Sequence, residues 1–89
     1  MMIEALCKEN IVEVLSHPQY YVDSSEDVVL LKIHDEEDIN NPTYLMIGVD
    51  EYNKYYLVVE DNDTSEDYVP KDESTLLELY IELLEEIIK

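Results

Sequence analysis

The chain has 89 residues, with 23 Asp and Glu against 5 Lys and no Arg, and a formal net charge of −18. That length fits one domain, residues 1–89, and an apolar share of 46% is too high for a disordered acidic tail. The charge argues against anionic membranes and against direct binding of nucleic acid, and no stretch approaches the roughly 20 apolar residues of a membrane span.

Residues 2–15 read as a helix. Ile3, Leu6, Cys7, Ile11, Val14 and Leu15 follow the spacing of one buried helical face, and Pro18 ends the run. Four β-prone runs follow, at 19–23, 28–34, 43–49 and 54–60. Strand alternation in the second puts Val29, Leu31 and Ile33 on one face, with Val28, Leu30 and Lys32 on the other. Asn41 and Pro42 mark a turn before the third run. Residues 50–53 are short enough to close an antiparallel hairpin between the last two.

Residues 75–88 read as a second helix, with Ser74 or Thr75 as N-cap. Its apolar residues cover an arc of roughly 200°, more than one sheet face needs. Two placements follow: a wedge between the sheet and the first helix, or a homodimer through this C-terminal helix. The fold class is α+β: an N-terminal helix, an antiparallel sheet of three or four strands, and a long C-terminal helix packed on the sheet.

The acidic residues gather in the connections. Asp35, Glu36, Glu37 and Asp38 lie between the second and third runs, and Asp50 and Glu51 in the hairpin. Asp61, Asp63, Glu66 and Asp67 follow the fourth run, and Ser24, Ser25, Glu26 and Asp27 precede the second. One reading is solvated turns that keep the chain soluble. The other is a lattice of carboxylates that imitates phosphates. Alternate residues on a strand stand about 6.6 Å apart, near the phosphate spacing along one strand of nucleic acid. Glu78, Glu82 and Glu86 repeat at helical spacing and repel one another, so stability does not explain them. At one charge per roughly 1.7 Å, the net charge matches about 30 Å of duplex.

Self-repulsion destabilises the compact state, so a charge this lopsided points to a strongly basic partner. Composition drift does not account for it: the profile rich in Ile, Tyr and Asn suggests AT-rich coding, which supplies Lys freely, and here Lys is scarce. Stability is expected to rise with salt. Eight tyrosines accompany the acids. Tyr52 and Tyr68 sit beside carboxylates in loops, where they suit a grip on Arg and Lys through cation–π contact. Tyr20, Tyr21, Tyr44, Tyr55 and Tyr56 serve equally well as strand filling, and Tyr80 reads as core.

Chemical machinery is sparse. Residues 61–72 put Asp61, Asp63, Ser65 and Asp67 at the first four odd positions of a calcium loop, but Glu66 stands where Gly is needed and Asp72 where Glu is. His17, His34 and Cys7 are too scattered for a metal set, and Gly48, the single glycine, cannot build a phosphate loop. Cys7 reads as a small hydrophobe on the helix face, and a lone cysteine fits a reducing compartment. Glu4 stands where a signal peptide would carry positive charge. The expectation is therefore no enzyme, no cofactor and no metal.

The plan is similar to that of small phage-encoded inhibitors that act as DNA mimics, including some type II-A anti-CRISPR proteins. It shares with them its length, the run from Ile3 to Leu15, the tyrosine-bearing strands through Tyr56, and the acidic stretches DEED and DNDTSED. The resemblance implies an inhibitor in the cytoplasm of a bacterial host, occupying a basic groove that normally binds nucleic acid. The charge pattern itself makes the expected partner a basic nucleic-acid-binding protein, met by Asp35, Glu36, Glu37, Asp38, Asp61, Asp63, Glu66 and Asp67, with Asp50, Glu51, Tyr52 and Tyr68 alongside. Two other readings stay open: an immunity protein or antitoxin for a basic toxin nuclease, and an oligomeric acidic adaptor.

Overall fold

The computed structural model describes residues 1–88. It is an α+β domain whose five strands form one antiparallel sheet in sequential order, β1 to β5. These are β1 (Met2–Ala5), β2 (Val28–Asp35), β3 (Asp38–Val49), β4 (Tyr55–Glu60) and β5 (Ser65–Tyr68). Two helices, α1 (Ile11–Ser16) and α2 (Leu76–Ile88), complete it.

The N-terminal helix over residues 2–15 is not formed. Its first part is the edge strand β1, with Ile3 opposite Ile33 and Ala5 opposite Leu31 on β2. A helix there would begin without a cap and stop at Pro18, too short to persist alone, whereas pairing with β2 satisfies the backbone. Leu6 N–H still reaches Leu30 C=O at 3.0 Å. The helix starts only at Asn10, whose side chain accepts hydrogen bonds from Val12 N–H at 2.9 Å and Glu13 N–H at 3.3 Å, as an N-cap does. Cys7 consequently lies on no helix. It is half-buried against the core, and burial pushes its thiol pKa up.

The β-prone run at 19–23 forms no strand. Pro18–Tyr20 is a single 3-10 turn, since proline at its first position favours helical φ and removes a ladder donor. Beyond it, Asp23 folds back on Ser25 (N–H to Oδ1, 2.8 Å), an Asx turn that ends any strand.

In β2 the simple alternation fails at Leu30, where the register with β3 shifts. Val28, Leu30, Leu31 and Ile33 all join the core, leaving Val29 opposite Met46 on the other face. The turn expected at Asn41 and Pro42 lies earlier: Asp35 pairs with Asp38, and Glu36 and Glu37 alone make the turn. Pro42 falls within β3, in a second irregular stretch of that pairing, where the ladder tolerates it. The 50–53 hairpin forms as expected.

The fifth strand, β5, occupies part of the expected DNDTSED loop. It pairs with β4, Leu57 opposite Tyr68 and Val59 opposite Glu66. Sheet width is therefore five strands rather than three or four.

Both helices pack on one face of the sheet. Leu30, Leu45, Ile47, Leu57 and Val14 are fully buried there. Leu76 and Leu83 bring α2 into the same cluster, beside Val14 and Leu15 of α1. α2 touches both α1 and β4, so much of its wide apolar arc is buried against the sheet and the first helix together. Thr75 is its N-cap, accepting from Glu78 N–H at 3.1 Å. No helix among the described residues is long and apolar enough to cross a membrane.

Candidate acidic interface

Sequential antiparallel order puts alternate turns at the same end of the sheet. The β2–β3 turn carries Asp35, Glu36, Glu37 and Asp38, all exposed. Asp38 Oδ1 accepts from Asn41 Nδ2 at 2.7 Å. At the same end is the β4–β5 turn, built on Asp61. One carboxylate oxygen of Asp61 accepts from Asp63 N–H and Thr64 N–H, each at 2.8 Å, and from the Thr64 hydroxyl at 3.2 Å. Those backbone donors hold the Asp61 carboxyl below its ordinary pKa, because they stabilise the charged form. Asn62 ties this turn to β3 by donating to Asn40 C=O at 3.3 Å and to the Asn41 side chain. Six of the expected residues, at 35–38, 61 and 63, thus share one pole.

Asp50, Glu51 and Tyr52 sit at the other pole. Asp50 Oδ1 accepts from Tyr52 N–H at 2.8 Å and Lys54 N–H at 2.9 Å. Asn53 adopts φ 63° to close the turn, a conformation asparagine tolerates better than most residues. Glu51 is exposed, and Tyr52 is 74% exposed. At roughly 3.3 Å per residue along β3, the two poles stand about 20 to 35 Å apart. The expected residues therefore do not converge on one patch.

Glu66, Asp67 and Tyr68 lie on β5, an edge strand, and not in a loop. Alternation turns Glu66 and Tyr68 towards the helices and Asp67 towards the opposite face. Tyr68 is half-buried against the core rather than solvated. Its hydroxyl donates to the Glu66 carboxylate; that bond, burial, and the charges of Glu66 and Glu86 push its pKa up. Between β5 and α2 runs a cleft of about 520 Å³, with Tyr68, Val69 and Lys71 on one side and Leu79, Glu82 and Glu86 on the other.

Sequence reasoning missed the helix-free face of the sheet. Val29, Met46 and Val58 form a row across β2, β3 and β4, outside the core cluster. Tyr44 flanks the row on one side and Tyr56 on the other. Tyr56 pairs with Gly48, and its hydroxyl donates to Asp27 Oδ1 at 3.4 Å. Tyr56 serves equally well as strand filling on sequence alone; the signal that sets it apart is the single glycine of the chain, Gly48, placed among strand residues.

The electrostatics are one-sided. Five lysines can neutralise at most five of 23 carboxylates one for one, so at least eighteen are left without a lysine to balance them. Among the described residues no polar or charged side chain is buried, and no cluster of His, Cys, Asp or Glu is arranged to hold a metal ion. Comparison with protein-family models, with curated protein sequences and with solved structures finds no match for this chain.

Proposed function

We propose that this protein is a non-catalytic acidic inhibitor that blocks the nucleic-acid-binding surface of a basic protein by phosphate mimicry. The target class is an RNA-guided nuclease or another DNA- or RNA-binding enzyme. The observation that carries this reading is the surplus of at least eighteen carboxylates over lysines, eight acids standing in the turns at the two poles of the sheet. Two-residue and Asx-stabilised turns fix where those charges stand, so little ordering is needed on binding. A basic surface gives each carboxylate a charge-assisted partner and accelerates encounter in a salt-dependent way.

A second copy of the chain is a poor partner. Ile81 and Ile88 of α2 are 48% and 43% exposed, but two surfaces of the same strong charge repel each other.

The carboxylates of Asp35, Glu36, Glu37 and Asp63 accept none of the turn hydrogen bonds described above. Reversing all four to Lys therefore leaves the fold intact and removes binding. The protein is used as bait in a bacterial lysate at low and moderate salt, and duplex DNA is then added. Release of a basic nuclease or DNA-binding protein by DNA, lost in the fourfold variant, is the expected result. A partner that DNA cannot displace points instead to an immunity protein dedicated to one toxin. Unchanged binding by the variant defeats mimicry through these turns.

A further inference from the structure

We infer that the helix-free face of the sheet, anchored on Tyr56, is the docking surface for an arginine-bearing segment of the basic partner. The inference rests on the proposed acidic-inhibitor reading and places its contact on a face rather than on the turns alone. Among the described residues no helix covers this face, yet Val58 in its middle is only 4% exposed. Met46 and Val29 continue the row beside it, so an apolar strip crosses the sheet.

Tyr56 occupies a prepared position on that face. A Cβ on Gly48 would stand 2.7 Å from both the phenol ring and its oxygen, and would also collide with the Asp27 carboxylate. The glycine therefore lets the ring lie over the β3 backbone, with its hydroxyl on Asp27. Burial pushes the Tyr56 phenol pKa up, and the charges of Asp27, Asp67 and Asp50 add to this; Asp27 accepts the hydrogen bond of the hydroxyl, and Asp67 pairs with Val58 on the same face.

Charge decides the occupant. Asp27 and Asp67 lie beside the apolar strip, and Glu60 and Glu4 share the face further along, where Lys32 pairs with Glu4 and Tyr44 stands between Lys32 and Glu60. A second copy and a nucleic acid are both repelled. A guanidinium stacks on a tyrosine ring while donating to carboxylates at its rim, and its alkyl stem lies on apolar surface. Arginine is favoured over lysine because a planar fork serves both contacts, whereas an ammonium is a strongly hydrated point charge.

The test uses the full chain, labelled with nitrogen-15, titrated at moderate salt with a ten-arginine peptide and separately with a ten-lysine peptide. Amide shifts centred on Met46, Gly48, Tyr56 and Val58 are expected, with arginine bound more tightly. Tyr56→Ala is expected to weaken arginine-peptide binding about tenfold, while Tyr56→Phe, which keeps the ring, stays within about twofold. Shifts confined to the turns at 35–38 and 61–63 overturn the inference. Equal binding of wild type and Tyr56→Ala does so too, as does concentration-dependent shifting of Tyr56 without peptide, which marks self-association. The two readings fail separately. A lysate partner that DNA cannot displace, with Tyr56→Ala still impaired, removes mimicry and keeps the face. A partner displaced by DNA but bound normally by Tyr56→Ala does the reverse.

Discussion

Reversing Asp35, Glu36, Glu37 and Asp63 to Lys separates stability from binding. Each reversal shifts the charge by two, so four take the chain from −18 to −10. Spread over a sphere matching the 12.8 Å radius of gyration, the native charge has a self-repulsion on the order of 15 kcal/mol in water at 0.1 M salt. An unfolded chain of this length, with a radius of gyration of about 30 Å, carries roughly 4 kcal/mol. Folding thus works against about 10 kcal/mol, and at 1 M salt against about 5 kcal/mol, as the Debye length falls to about 3 Å. Repulsion scales with the square of the charge, so the variant retains only about a third of it. Even a fifth of the salt effect, about 1 kcal/mol, moves Tm by roughly 5 °C in a domain this size. Thermal unfolding followed by circular dichroism is the assay. In wild type Tm climbs steeply from about 0.1 to 1 M sodium chloride; in the variant it starts higher and climbs less. The variant is at once more stable and unable to bind. A wild-type Tm that is flat or falling with salt refutes the repulsion argument. A less stable variant shows that these four carboxylates help to hold the fold.

Alkaline titration probes the tyrosines. Tyr56 and Tyr68 have folded pKa values above the ordinary phenol range, so their contribution is complete below the unfolded pKa and is lost as pH rises through the folded one. Tyrosinate absorbance should therefore lag behind free tyrosine, with a smaller lag in Tyr56→Phe. Asp61→Ala removes three turn hydrogen bonds and is expected to lower stability by about 1 to 2 kcal/mol. Because the Asp61 pKa is depressed, its contribution is present above the unfolded pKa and fades as pH falls through the folded one. Comparing the variant's denaturation midpoints at neutral and acid pH checks both statements. Glu73 sits at φ 67°, so Glu73→Gly relieves backbone strain and is expected to raise the urea midpoint by an equivalent of about 1 kcal/mol.

What was legible in the sequence follows the range of the forces involved. α2 combines a capping threonine with a continuous apolar stripe, and local signals of that kind survive folding. β2, β3 and β4 are rich in β-branched and aromatic residues and were readable for the same reason. β1 was not: the spacing of Ile3, Leu6 and Cys7 suits a helix, and only β2 alongside makes a strand the better use of that backbone. β5 was hidden by its composition, since Ser65, Glu66 and Asp67 have no strand preference and are ordered by pairing with β4. The acidic turns were legible as turns, but their division between two poles depends on strand order. Tyr56 meets Asp27 across 29 residues of sequence, so only the register of three strands could reveal that meeting.

The carboxylates divide by employment, and the division bears on function. Asp23, Asp50 and Asp61 each turn an oxygen onto nearby backbone N–H groups, a task for which asparagine or serine also serves. Turn building therefore explains few of the 23 acids and does not require their charge. Glu36, Glu37, Glu51 and Asp63 stand exposed at the poles, where glutamine or asparagine would keep the chain polar without repulsion. Solubility alone needs a net charge of only about 2 to 8 in a small domain, well short of the charge present. The excess acts against folding. Under the proposed function its compensation lies outside the chain, in a partner whose positive charge turns the same repulsion into attraction. The fourfold reversal sets that argument at risk: a variant that is more stable and binds as well as wild type would leave the excess charge without a use.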